Sequence, residues 1–94
     1  MHRIDFSNNN SLGGRMNGEK VRKEIVQNIN EPVAVDLKNV IVISNSFADE
    51  AFGKLLTVEK IEFAMLMNKL KFYNTTDLVK KMIIKALNER KKEI

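Results

Sequence analysis

Ser44-Asn45-Ser46 and the acidic pair Asp49-Glu50 lie together inside the run VISNSFADEAFGKLL, residues 42–56. A serine hydroxyl can serve as a nucleophile, a helix cap or an acceptor of phosphate. Nucleophilic hydrolysis needs a base within hydrogen-bond reach of the hydroxyl. The only histidine is His2, and SNSFA lacks the G-x-S-x-G elbow of a hydrolase serine. Zinc asks for cysteine or clustered histidine, and the chain has no cysteine. Asp49 and Glu50 are adjacent, so on a helix they diverge by about 100° and form no paired-carboxylate site. Asp36, on a strand, is a carboxylate that could approach Asp49. The expectation is a protein that is not an enzyme, with no catalytic residues, no metal and no cofactor.

The same residues can cap a helix. Ser46-Phe47-Ala48-Asp49 has capping-box spacing, with Asp where Glu or Gln is more usual. Ser46 would accept from the Asp49 N–H and Asp49 would answer to the Ser46 N–H. Such a cap contributes about 1 kcal/mol. It leaves Ser44 without a task. Ser44 and Ser46 are therefore both candidates for cap or phospho-acceptor. Asn45, Phe47, Asp49 and Glu50 are candidate partner contacts, with Glu50 expected to point away from the cap. A second candidate is the turn Gly13-Gly14-Arg15 before a helix, whose backbone N–H groups are suited to an anion. No G-K-[ST] follows, so it is not a nucleotide-binding P-loop. The plainer alternative is a turn whose Arg15 pairs with an acid.

The elements that must position these residues follow from periodicity. His2–Phe6 reads as a short edge strand and 7–11 as an Asn/Ser loop. Asn17 is expected to cap a helix running to about Ile29, with Val21, Ile25 and Ile29 as its apolar stripe. Asn30, Glu31 and Pro32 stop it. Val33, Val35 and Leu37 alternate with Ala34, Asp36 and Lys38, which is strand periodicity. Val40–Ile43 continues apolar toward Ser44. From Ser46 a helix places Phe47, Ala48, Ala51, Phe52, Leu55 and Leu56 on one broad face. A further helix is expected over Val58–Met67 and a last strand over Leu70–Tyr73. The final helix begins at Asn74 or Thr75 and buries Leu78, Val79, Met82, Ile83, Ala86 and Leu87. Strands alternating with helices give an α/β fold: a small, largely parallel or mixed sheet of three to four strands covered by about four helices.

Ninety-four residues make one domain, 1–94, that buries roughly two-thirds of its unfolded surface. No apolar run approaches the roughly 20 residues that span a bilayer, and residues 1–10 carry no signal-peptide apolar stretch. With no cysteine, the expectation is a soluble cytoplasmic protein away from membranes. The net charge is +4, and all of the excess sits at the C-terminus. Up to Val79 there are ten Lys/Arg against ten Asp/Glu; from Lys80 onward Lys80, Lys81, Lys85, Arg90, Lys91 and Lys92 face only Glu89 and Glu93. Cations near a helix C-terminus complement its dipole. No aromatic residue follows Tyr73 to stack on bases. Nucleic acid is thus not the expected partner. The basic helix still defines the alternative reading, a small nucleic-acid-associated, mobile-element or phage inhibitor protein.

The segment VAVDLKNVIVISNSFADEAFGKLL resembles the centre of STAS domains, the modules of sulphate transporters and anti-sigma factor antagonists. Asp36-Leu37, Val40 and Ile43 match that pattern, and its Asp-Ser-Ser-Gly becomes Ser44-Asn45-Ser46-Phe47. The chain is more similar to a STAS-like family of unknown function whose members carry SSSFADE, here Ser46–Glu50, with a following glycine, here Gly53. That family also resembles this chain at LGGRMNGEKVR and KFYN, so the likeness spans about Leu12–Leu87. It implies a bacterial or phage STAS-like fold and a regulatory, non-enzymatic interaction domain. It implies a protein partner, a histidine-kinase-like ATPase or anti-sigma factor, at the corner Ser44–Glu50. In anti-sigma antagonists a serine at this helix start is phosphorylated to control docking. Ser46 aligns with the second serine of that doublet and Asn45 with the first.

Overall fold

The computed structural model describes residues 1–94. In chain order the elements are β1 (His2–Asp5), β2 (Ser11–Leu12), α1 (Arg15–Asn28), β3 (Val33–Asp36), β4 (Val42–Ile43) and α2 (Asn45–Ala48). A π-helical segment (Asp49–Gly53), α3 (Lys54–Thr57), α4 (Phe63–Lys69), β5 (Leu70–Tyr73) and α5 (Asp77–Lys91) follow. The fold is α/β, as the alternating pattern implies. Its sheet is wholly parallel, in the order β1-β3-β5, beside a separate parallel pair, β2-β4.

Strand order follows chain order, so right-handed crossovers place their helices on one side of the sheet. The register shows the result. Ile4, Val35 and Phe72 lie side by side on the covered face, and Val33 and Leu70 extend it. Arg3, Ala34 and Lys71 share the other face, as do Asp5, Asp36 and Tyr73. Ala34 and Asp36 are buried on this face all the same, while Tyr73 is 46% exposed. Asp36 does not join Asp49. It accepts from Asn74 Nδ2 at 2.9 Å and from the Lys38 N–H at 3.0 Å, and it pairs with Arg3.

Above the covered face α2, the π segment and α3 run on without a break. An α-helix turns residues five apart away from each other, whereas the i→i+5 bonding of a π turn brings them toward one side. Phe47 and Phe52 are five apart, and both are buried. Their rings meet edge to face at 6.3 Å, and Phe6 and Phe72 extend the row at either end. These four rings tie the central helix to β5 and to the chain just after β1.

Two sequence-based boundaries and one buried stripe move. α1 starts at Arg15, because Gly14 takes the N-cap with φ 87°. Asn17 lies inside the first turn and donates to the Gly13 carbonyl at 3.0 Å. Lys60, at φ 57°, interrupts the helix expected over 58–67, and α4 begins only at Phe63. Leu78 is 55% exposed, so the buried stripe of α5 is Val79, Ile83, Ala86 and Leu87.

Candidate functional site: the serine corner and its ionic floor

β4 ends at Ile43, and Ser44 turns the chain into α2. The Ser44 N–H bonds the Leu12 carbonyl at 2.9 Å, which anchors the corner to β2. Ser44 has extended backbone angles, φ −78° and ψ 156°, and its Oγ accepts from the Phe47 N–H at 3.0 Å. Ser44 is therefore the N-cap. The capping box expected at Ser46 and Asp49 does not form: the N-cap lies two residues earlier, at Ser44, and Asp49 is bound elsewhere. Ser46 Oγ lies 3.1 Å from Ser44 Oγ, and Asn45 between them is exposed. Because Ser44 Oγ accepts at the cap, its own hydrogen is available to Ser46.

Asp49 and Glu50 form the floor beneath this corner. Arg90 holds Asp49 in a fork, Nε to Oδ1 at 2.7 Å and Nη2 to Oδ2 at 2.8 Å. Arg15 Nη1 bridges the two acids, 3.1 Å from Asp49 Oδ2 and 3.0 Å from Glu50 Oε1. Lys54 reaches Glu50 Oε1 at 2.6 Å from one turn ahead. Arg22 donates from Nη1 to both Glu50 Oε2, at 2.9 Å, and the Glu50 carbonyl, at 2.8 Å. Its Nε meets Glu59 at 3.1 Å. A buried carboxylate is tolerable only when its oxygens are this fully partnered. The Arg90 fork holds the Asp49 carboxyl down at about 2, against the pull of burial. Lys54, with Arg22 and Arg15 behind it, does the same for Glu50, also to about 2.

Two candidate contacts are thereby corrected. Glu50 is 5% exposed and Phe47 1%, so neither side chain lies at the surface. Glu50 is covered by α1, which comes close at Gly18 and bonds it through Arg22, while Phe47 enters the core. Arg15 is neutralised by two carboxylates, which is the plainer reading of the Gly13-Gly14-Arg15 turn. Arg90 is not a free tail cation, and Lys91 Nζ sits 4.1 Å from the centre of the Phe63 ring. Lys80, Lys81, Lys85, Lys91 and Lys92 are exposed. His2 pairs with Glu24 at 2.7 Å and makes no hydrogen bond to either serine.

Sequence reasoning missed Arg22 and Gly18. Gly18 is the residue that lets α1 approach: a Cβ there would lie 2.7 Å from Glu50 Cβ and 2.9 Å from the Phe47 carbonyl oxygen. An isolated glycine inside a helical pattern was the available signal. Arg22 carried none, since its partner is fixed only by the crossing of α1 over the π segment.

The profile of a family described as STAS-like domain of unknown function (DUF4325) matches residues 17–92. The chain belongs to that STAS-like family. The match runs from the first turn of α1 to the end of α5 and contains both the serine corner and the ionic floor of the STAS-like domain. No curated protein and no solved structure matches the chain. No helix of the STAS-like domain is long and apolar enough to cross a membrane.

Proposed function

We propose that this STAS-like domain is a non-enzymatic regulatory module that docks a protein partner through the corner Ser44-Asn45-Ser46. The partner class is the one anti-sigma antagonists serve, a histidine-kinase-like ATPase or anti-sigma factor. The observation that carries the reading is the division of labour between the serines. Ser44 holds the cap, so Ser46 is free of a structural task at an accessible helix start. A phosphate there would place about two negative charges beside a helix N-terminus, where the dipole favours them. It would alter the surface without unfolding the domain. Exposed apolar side chains flank the serines: Ile41 and Val42 just before them, and Met16 on the first turn of α1. Phe47, Asp49 and Glu50 act behind this surface, as its support.

The test is affinity capture with wild type, Asn45→Arg and Ser46→Asp, each first shown to melt close to wild type. Both variants should lose a partner that wild type retains, and intact-mass measurement of protein from its native host should find phosphate on Ser46. Unchanged capture by both variants would place the interface elsewhere.

A further inference from the structure

The one cavity of the molecule lies away from the serine corner's residues, between β5, the end of α4 and α5. It measures about 330 Å³ and is lined by Met67, Phe72, Thr75, Lys80, Ile83, Ile84 and Leu87. That size falls within the range of small-molecule sites, which are mostly apolar with a few polar groups for orientation. Here the polar groups are two. Thr75 Oγ1 is one of only two buried side-chain polar atoms that lack a hydrogen-bond partner. The other, Thr57 Oγ1, does not belong to this lining. A buried hydroxyl without a partner carries a desolvation penalty that a ligand acceptor can relieve. Lys80 stands exposed on the lining, on the first turn of α5, and makes no ion pair, not even with Asp77 one turn earlier. Every other side chain of the lining is apolar.

We propose that this cavity binds an amphipathic monoanion, a medium-length acyl chain ending in a carboxylate. The chain lies along Met67, Phe72, Ile83 and Leu87. The carboxylate pairs with the Lys80 ammonium. A χ1 rotation between staggered positions turns the Thr75 hydroxyl into the cavity, where it donates to the same carboxylate. Both polar anchors flank the β5-to-α5 connection, so the head group sits at one end of the site and the chain at the other. An apolar cavity with no anchors would accept hydrocarbons without regard to charge; the lone cation and lone hydroxyl set the preference for an acid.

Calorimetric titration with sodium hexanoate, octanoate and decanoate, all below micelle formation, and with octanol tests this. Saturable one-to-one binding is expected, tightening about fourfold per added methylene until the cavity fills. Octanol should bind at least about tenfold more weakly than octanoate. Lys80→Gln should remove that difference. Thr75→Val should weaken octanoate by several fold while the ligand-free protein melts no lower than wild type, because the substitution deletes an unpartnered hydroxyl. Three results would overturn the proposal: no saturable binding, equal affinity for octanol and octanoate, or octanoate affinity unmoved in both variants. None of these outcomes bears on the serine corner, which the proposal does not use.

Discussion

Ser44 and Ser46 differ by one hydrogen bond, and that bond predicts different costs for the same substitution. Ser44→Ala removes the acceptor of the Phe47 N–H and should lower unfolding free energy by about 1 kcal/mol in urea titration. Ser46→Ala removes only the contact to Ser44 and should stay within about 0.5 kcal/mol of wild type. Equal losses would mean that the two hydroxyls share the cap. Glu50→Lys is the contrasting case. It would set a cation among Arg15, Arg22 and Lys54 in a buried site, and breaking such a pair costs about 3–5 kcal/mol. The variant should be largely unfolded or aggregated on expression. A folded Glu50→Lys protein would show that this carboxylate reaches solvent.

At the scale of elements, the approach of α1 to the π segment decides whether the ionic floor exists. Gly18→Ala gains about 1 kcal/mol of helix propensity and still should destabilise, since its Cβ would meet the Glu50 side chain and the Phe47 backbone. The expected net loss is about 1–2 kcal/mol by the usual cost of overpacking. A thermal melt above wild type would show that α1 can retreat without loss. α5 is joined to the same segment by Arg90. Arg90→Met keeps most of the packing and strips Asp49 of its fork, leaving only Arg15. The expected cost is about 1–3 kcal/mol, the range for charge-assisted hydrogen bonds. The loss should be visible as earlier hydrogen exchange in α5.

For the whole molecule, the depressed acids set the response to pH. Asp49 and Glu50 titrate near 2 in the folded state, below their ordinary 3.8 and 4.5. Between those values the unfolded chain binds protons that the folded chain does not, so stability rises with pH across that window. The contribution is complete above about pH 5 and is lost as pH falls toward 2. Urea midpoints should therefore drop between about pH 5 and about pH 3, and Arg90→Met should flatten that drop. A wild-type midpoint unchanged over this range would mean that the acids are not held by their cations. The charge of the tail also looks different at this scale. Arg90 is neutralised by Asp49, so the free basic charge is smaller than the residue count implies, although Lys91 stays exposed over Phe63.

Periodicity determined the three strands of the main sheet and the helices between them, and with them the α/β class. The β2-β4 pair was not legible, because two residues per strand carry no period. The SFADE block and its neighbours pointed to the STAS-like family, whose profile covers them. The tertiary structure decided which side of each residue matters. Ser44 rather than Ser46 became the cap because β4 pairs with β2 and ends where it does. Glu50 went from expected surface to buried ion because α1 packs over it at Gly18, and a periodicity that finds only one apolar face cannot register a second helix covering the other. Arg22 and Arg90 met Glu50 and Asp49 from 28 and 41 residues away. Contacts across such separations depend on how α1 and α5 cross the central helix, and no local spacing encodes that crossing.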